Sequence, residues 1–170
     1  TNELNTYLTF SKILEDIPAS NDYPNSDLGR KLSKTINIIK NQNKLNIYHI
    51  KHYGYDTHLG QPGRLKILYS ELGKSIKKFA HDLHTINEWK NTQILIYSEF
   101  GRSIDENSNG GTDHGTAGPV FVLGGENIFN NQFRVKPMYE TYKIGNDPYL
   151  KYQVDFREIF LHLRDNWILS

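Results

Sequence analysis

The sequence predicts an α/β fold, with a mostly parallel sheet and helices on both of its faces. Short apolar runs of strand length at 45–51 and 92–98 flank a long stretch in which apolar residues recur every three or four positions. Strand, helix and strand in this order form a parallel pair joined by a right-handed crossover. The length of 170 residues suits one domain or half of a larger one. We therefore expect residues 1–170 to form a single α/β domain or part of a larger one.

The helices are predicted from apolar periodicity and capping residues. Helical spacing favours a first helix over 1–17, and Ser26 or Asp27 is expected to cap a second helix. The most regular pattern in the chain predicts a helix over about 64–88. The last helix begins at Asp155, with a glutamate in capping-box spacing. The residues that it is expected to bury are Phe156, Ile159, Phe160, Leu163 and Trp167.

A glycine-rich loop is predicted to lie between two buried strands. The continuous apolar runs 92–98 and 119–123 are typical of strands buried on both faces. Residues 99–118 between them have no helical pattern, and residues 126–153 are expected to be loop with short strands. If the later strand is antiparallel to the earlier one, the loop 99–118 stays at one edge of the sheet. That edge is the carboxyl end of the parallel strands, where α/β sheets bind their ligands.

Composition excludes several function classes. Lys and Arg number 20 and Asp and Glu number 19, so the net charge of +1 lacks the basic excess of a nucleic-acid-binding protein. The lack of cysteine excludes disulfides, thiolate zinc sites and cysteine nucleophiles. No apolar run approaches the roughly 20 residues that a membrane-spanning helix needs. We therefore expect neither a nucleic-acid partner nor a membrane span.

Three polar clusters are predicted to meet at the sheet edge. The candidate side chains are Asp56 and His58 in residues 54–58, Glu99 and Arg102 in residues 98–102, and Asp113 and His114 in residues 110–116. Imidazole nitrogen combined with carboxylate oxygen suits zinc, manganese or iron, and an arginine can bind phosphate or sulfate through two nitrogens. Each cluster also has a structural interpretation, as an Asx turn, a turn cap, a solvated arginine or a glycine-rich turn.

The same segments resemble a known bacterial family. Residues 98–125 resemble the core signature of domain-of-unknown-function family 1501 (DUF1501), and residues 23–29, 54–58, Gln61 and 154–157 fit that family in the same order. The family is similar to the alkaline phosphatase and sulfatase superfamily. The resemblance therefore implies an alkaline-phosphatase-like α/β fold, a two-metal site and, because many members are exported, a periplasmic or extracytoplasmic location.

Carried over residue by residue, the resemblance implies metal ligands at Asp56, His58, Asp113 and His114. Glu99 keeps a carboxylate where the superfamily has a pair of ligands, whereas Phe100 in the next position cannot bind a metal. The superfamily's nucleophile lies in an N-terminal half that this sequence does not contain. The chain therefore resembles the C-terminal half of a family member.

The expected function is the metal-dependent hydrolysis of phosphate or sulfate esters, with zinc or manganese as the metal. The expected catalytic residues are Arg102, which would stabilise the transferring anion, and Glu99, as a further ligand or a partner that orients an imidazole. The alternative is a non-catalytic module of the same fold that binds a ligand or a partner without turnover. The expected partners are a small anionic ester and either the missing N-terminal half or a second copy of the chain.

Overall fold

The computed structural model describes residues 22–41, 47–125, 140–144 and 147–169. The elements in chain order are α1 (Asp27–Lys40), α2 (Gln61–Thr85), β1 (Gln93–Ile96), β2 (Gly101–Arg102), β3 (His114–Gly115), β4 (Phe121–Gly124), β5 (Thr141–Ile144), β6 (Asp147–Leu150), α3 (Phe156–Leu163) and a π-helical turn (Arg164–Ile168). None of the helices in these ranges combines the length and the apolar character that crossing a bilayer requires. The helix predicted over 1–17 lies outside the described residues, as do residues 126–139.

Within the described ranges, the strands form three separate antiparallel pairs. β1 pairs with β4, β2 with β3, and β5 with β6. In the first pair, Gln93 lies opposite Gly124 and Ile96 lies opposite Phe121. The loop between β1 and β4 therefore leaves and re-enters this sheet at the same end.

The predicted parallel α/β fold is wrong, and so is its alkaline-phosphatase-like form. Residues 47–51, the described part of the predicted first strand, are not in a strand, and the side chain of Ile47 is 66% exposed. Every strand pair among the described residues is antiparallel. The physical reason is that a short apolar run has strand propensity but does not specify its partner. β1 pairs with the strand that the following loop brings back, instead of with a strand that precedes α2.

The apolar runs of β4 and α3 are also less buried than predicted. Phe121 in β4 is 57% exposed and Phe156 in α3 is 64% exposed. The residues of β1 are only half-buried, and none of the residues of α3, all of which are described, is buried. A parallel sheet is covered by helices on both faces. Among the described residues the apolar side chains of the two-stranded sheets instead remain partly in contact with water.

The described residues fall into two compact units. The first comprises residues up to 53 together with 67–87, and the second comprises residues 54–66 together with those from 88 onward. All of the buried apolar side chains among the described residues belong to the first unit. They are Tyr23, Leu28, Leu32, Ile36, Ile38, Phe79 and Leu83.

The predictions of the helices α1 and α2 are confirmed. α1 begins after the N-cap Ser26, and it buries Leu28, Leu32 and Ile36 at steps of four residues. The long helix runs from residue 61 to 85, about three residues earlier than predicted at each end. Apolar periodicity specifies a helix well because it depends only on neighbouring turns of the same chain segment.

A polar network supplements this core. The buried Tyr23 hydroxyl donates to Asp82 at 2.8 Å, and the Lys78 ammonium donates to the other oxygen of the same carboxylate at 2.6 Å. Burial raises the pKa of the Tyr23 hydroxyl, and the Asp82 carboxylate raises it further. Tyr23 therefore remains a hydrogen-bond donor at neutral pH.

The N-cap of α1 provides a test of this unit. The Ser26 hydroxyl accepts a hydrogen bond from the main-chain N–H of Gly29 at 3.1 Å. Ser26→Ala is expected to lower the free energy of unfolding by about 1 kcal/mol, because this N–H loses its acceptor. Ser26→Asp keeps an acceptor at the same position and is expected to stay close to the wild type. Denaturant unfolding followed by circular dichroism measures both variants, and equal stabilities for them would contradict the assigned cap.

Candidate metal centre

Two segments of the second unit meet at the candidate site. One is residues 54–58, which precede α2, and the other is the loop between β1 and β4, which contains β2 and β3. Arg102 of β2 lies opposite His114 of β3 in their antiparallel pair. This pairing brings the predicted second and third polar clusters side by side.

Hydrogen bonds hold the loop against residues 58–61. The main-chain N–H of Gln61 donates to the carbonyl of Gly110 at 2.8 Å, and the Thr112 hydroxyl donates to the Gln61 side chain at 2.8 Å. The Asn107 amide donates to the carbonyl of His58 at 3.2 Å. The first N–H groups of a helix have no partner inside the helix. The Gly110 carbonyl of the loop accepts a hydrogen bond from one of these N–H groups, that of Gln61, and this bond attaches the loop to the first residue of α2.

Two glycines permit the close approach of the main chains. A Cβ atom at Gly111 would overlap the main chain of His58, and one at Gly115 would overlap the main chain of Arg102. Any other residue would force these segments apart, because only glycine has no side-chain atom at this position. The glycines of the loop are therefore needed for close main-chain contacts as well as for turns.

Three side chains, which we call the triad, converge on one point: Asp56, His58 and His114. Oδ1 of Asp56 lies 2.9 Å from Nε2 of His58 and 2.8 Å from Nε2 of His114. One potential ligand atom from each residue lies within 4.8 Å of the other two. The side chains are 59%, 47% and 49% exposed in that order. The described residues thus place a carboxylate oxygen and two imidazole nitrogens together at an accessible position.

Different contacts orient the two imidazoles. Nδ1 of His58 lies 3.1 Å from Oδ1 of Asp113. The ring of His114 stacks on Phe100, with 4.1 Å between ring centroids and 9° between ring planes. Each contact restricts rotation of an imidazole while leaving its Nε2 atom directed toward Asp56.

The electrostatics of the triad favour an ionised carboxylate. The hydrogen bond from His114 is the largest influence that holds the pKa of Asp56 below its ordinary value. Desolvation is the next influence in size and opposes this shift, whereas the charges of His114, His58 and Arg102 also lower the pKa. Asp56 therefore offers a charged oxygen ligand at neutral pH.

The two predicted catalytic residues differ in their relation to the triad. Nη2 of Arg102 lies 3.7 Å from Oδ1 of Asp56, but the guanidinium donates its hydrogen bonds to other groups. Glu99 is exposed, and within the described part of the chain no hydrogen bond or ion pair joins it to the triad. The catalytic roles of Arg102 and Glu99 remain predictions.

Sequence reasoning missed the contributions of Phe100 and Thr57. From its residue type, Phe100 is only a side chain that cannot bind a metal, whereas in the structure its ring stacks on His114. Thr57 is fully buried, and its hydroxyl accepts a hydrogen bond from Arg102 at 3.3 Å. A signal for Thr57 was available, because the residue between two outward-facing ligands of an extended segment faces inward.

Comparison with known proteins identifies a family. A family model described as a protein of unknown function (DUF1501) matches residues 40–127, which is more than half of the chain. The matched range contains the whole triad and both segments that carry it, and the predicted family resemblance is confirmed. No curated protein and no solved structure matches the chain.

Gly111→Ala tests the close approach of the two segments. The added Cβ must displace the main chain of His58, and such overpacking is expected to lower the free energy of unfolding by about 1–3 kcal/mol. Gly73→Ala is the matched control, because Gly73 lies inside α2 with open space around its Cβ position. It is expected to raise the free energy of unfolding by up to about 1 kcal/mol through better helix propensity. Denaturant unfolding measures the stability of both variants. A Gly111→Ala variant as stable as the wild type would contradict the close approach of the Gly111 and His58 main chains.

The titration of Asp56 tests the triad without any added ligand. Its carboxyl is expected to titrate below the ordinary pKa of about 3.9, and His114→Ala is expected to raise that pKa by removing the largest cause of the shift. Because the folded-state pKa lies below the unfolded one, the associated stability is present above about pH 4 and is lost as the pH falls through the folded pKa. Carboxyl ¹³C NMR measures the titration. His81→Ala, on the exposed surface of α2, should leave it unchanged, and an unchanged pKa in His114→Ala would refute the assigned contact.

Proposed function

We propose that this chain, which belongs to the DUF1501 family, is a metal-dependent hydrolase of phosphate or sulfate esters. The triad would hold one divalent cation, zinc or manganese. The observation that carries this proposal is the convergence of one carboxylate oxygen and two imidazole nitrogens within 4.8 Å of one another.

The donor set and its spacing fit such an ion. Zinc binds imidazole nitrogen and carboxylate oxygen at about 2.0–2.2 Å, which places neighbouring ligands of a tetrahedral ion roughly 3.4 Å apart. The contacts of Asp56 with His58 and His114 measure 2.9 Å and 2.8 Å. Side-chain shifts of about 0.5 Å would open these hydrogen-bond distances to ligand distances.

The hydrogen bonding of His58 also favours a cation. When Nδ1 of His58 carries the proton that is donated to Asp113, the Nε2 lone pair faces Oδ1 of Asp56 at 2.9 Å. Two acceptors at that distance repel each other unless a second proton or a metal ion lies between them. A carboxylate behind a ligating histidine is the usual arrangement in metal sites, because it fixes the tautomer and orients the ring.

Three protein ligands on a solvent-accessible surface suit a catalytic rather than a closed structural site. Structural zinc sites use four protein ligands, whereas catalytic sites use three and leave one position open. The triad side chains are about half exposed, so an anionic ester can reach their open side. When bound, a divalent ion supplies Lewis acidity that polarises the ester oxygen. Phosphate and sulfate esters are proposed as substrates because the DUF1501 family, whose core signature residues 98–125 resemble, is similar to the alkaline phosphatase and sulfatase superfamily.

A ligand-binding module without turnover is the second candidate. It is favoured by the hydrogen bonds of Arg102, which donates to the carbonyls of Thr112 and Tyr55 rather than toward open solvent. A site without a free guanidinium has less stabilisation for a transferring anion. Metal binding by the wild type without any hydrolysis would favour this candidate.

Metal binding is the first test of the proposed function. The wild type is expected to bind one equivalent of Zn²⁺ or Mn²⁺, and His114→Ala is expected to lose at least about 100-fold in affinity because one of three ligands is removed. Isothermal titration calorimetry and elemental analysis after dialysis measure both quantities. His81→Ala, which removes an exposed histidine from α2, is the control and should bind like the wild type. Equal affinities for the two variants would refute the site.

Hydrolysis is the second part of the same test. Aryl phosphates and aryl sulfates serve as substrates, and turnover is expected only in the metal-loaded wild type and in His81→Ala. A chelator should abolish turnover, and renewed metal should restore it. Turnover that survives both the chelator and His114→Ala would contradict a metal-dependent mechanism at the triad.

A further inference from the structure

The guanidinium of Arg102 connects the two segments that supply the triad. Its Nη1 donates to the carbonyl of Thr112 at 2.7 Å, and its Nη2 donates to the carbonyl of Tyr55 and to the hydroxyl of Thr57 at 3.3 Å. Tyr55 and Thr57 flank the triad aspartate on both sides, and Thr112 lies two residues before the triad histidine of β3. A single side chain therefore holds both segments at a defined separation.

We infer that Arg102 is a positioning residue, whose guanidinium sets the distance between residues 56–58 and His114 and thereby assembles the triad. This inference rests on the proposed function, because it concerns the same metal site. The Arg102 side chain is 20% exposed, against 59% for Asp56. It is thus less accessible to a substrate than the ligands that it positions.

The charge of Arg102 supports the same role. Its Nη2 lies 3.7 Å from Oδ1 of Asp56, the oxygen that both imidazoles contact. A positive charge at this distance attracts the negative carboxylate. Arg102 therefore also restrains the position of the aspartate through this attraction.

Arg102 also reaches the remaining ligand through an aromatic ring. Its Cζ atom lies 5.2 Å from the centroid of the Phe100 ring, and Phe100 stacks on His114 with 4.1 Å between centroids. Cation–π attraction favours this arrangement. The ring that orients His114 is therefore itself in contact with the guanidinium.

The chemistry requires arginine rather than any cation. The planar guanidinium presents donors on two separate terminal nitrogens in a rigid fork, whereas a lysine has one ammonium on a flexible chain. At Arg102 the two terminal nitrogens serve different segments, with Nη1 on Thr112 and Nη2 on Tyr55. A lysine would keep the charge, but its single ammonium could not donate to Thr112 and Tyr55 from two separate nitrogens.

The test compares metal affinity in the full chain carrying Arg102→Lys or Arg102→Gln. Both variants are expected to lose about 10- to 100-fold in Zn²⁺ affinity, as is typical when a group that orients metal ligands is removed. Competition with a chromophoric chelator measures the affinity, and the absorption spectrum of bound Co²⁺ reports the ligand arrangement. The same substitutions at Arg64, an exposed residue of α2, are the matched controls and should leave both readouts unchanged.

A merely structural role predicts a different pattern. It would lower the melting temperature of the Arg102 variants while the folded protein kept wild-type Zn²⁺ affinity and the wild-type Co²⁺ spectrum, and that result would overturn the inference. If the Arg102 variants do not fold, Thr57→Val removes one acceptor of the guanidinium and nearly preserves side-chain shape. Lower affinity in Thr57→Val would then support the inference, and unchanged affinity would overturn it.

Failure of the proposed function gives a separate result. A wild type that binds neither Zn²⁺ nor Co²⁺ refutes the metal site, and the positioning role is then judged in the metal-free protein. Long-range ¹H–¹⁵N NMR of the His58 and His114 rings is the readout. Arg102→Lys is expected to shift the ring signals of both histidines, and unshifted signals would overturn the inference.

Discussion

The second unit depends on the close contact between residues 54–61 and the loop that joins β1 to β4. All of the buried apolar side chains among the described residues lie in the first unit, so this contact has little hydrophobic support. Main-chain hydrogen bonds, glycines without a Cβ atom and one arginine hold it together. Each hydrogen bond contributes about 1 kcal/mol of net stability. The contact is therefore specified by geometry more than by burial.

Such a polar scaffold suits the side chains that it carries. Ligands for a cation must be charged or polar and must reach solvent, so an apolar core cannot hold them directly. Here Asp113 and Phe100 contact the two imidazoles. Arg102 donates to the Tyr55 carbonyl and to the Thr57 hydroxyl, on either side of Asp56. Functional residues commonly lie on loops whose conformation is fixed by their surroundings. In this protein, hydrogen bonds within and between the two segments fix that conformation.

Local pattern was sufficient to predict the helices that begin at Asp27, Gln61 and Phe156. The N-cap Ser26 and the apolar face of α1 are decided within single turns, and the helix begins at an expected cap. Strand pairing is decided by distant residues, so the apolar run at 92–98 gave a strand but the wrong kind of sheet. The same limit explains the exposure of Phe156, since helical spacing identifies an apolar face but not what covers it.

The candidate site was predicted from a parallel sheet that the described residues do not form. The polar clusters were expected at the carboxyl edge of a parallel sheet, whereas Asp56, His58 and His114 meet because the loop after β1 returns antiparallel and packs on residues 54–58. The residue types were informative because imidazole and carboxylate groups favour cations whatever the sheet. The partners of Arg102 could not be predicted, because carbonyl groups occur at every position of a chain and no sequence pattern distinguishes them.

The separation of the triad along the chain has a consequence for folding. Asp56 and His114 are 58 positions apart, so a cation shared by them would act as a reversible cross-link that closes a long loop. The entropy of closing such a loop is a cost that the unfolded chain avoids, and an ion that binds only the folded form offsets that cost by mass action. Stability and occupancy of the site would then rise and fall together, and the supply of the ion would govern how much of the protein is folded.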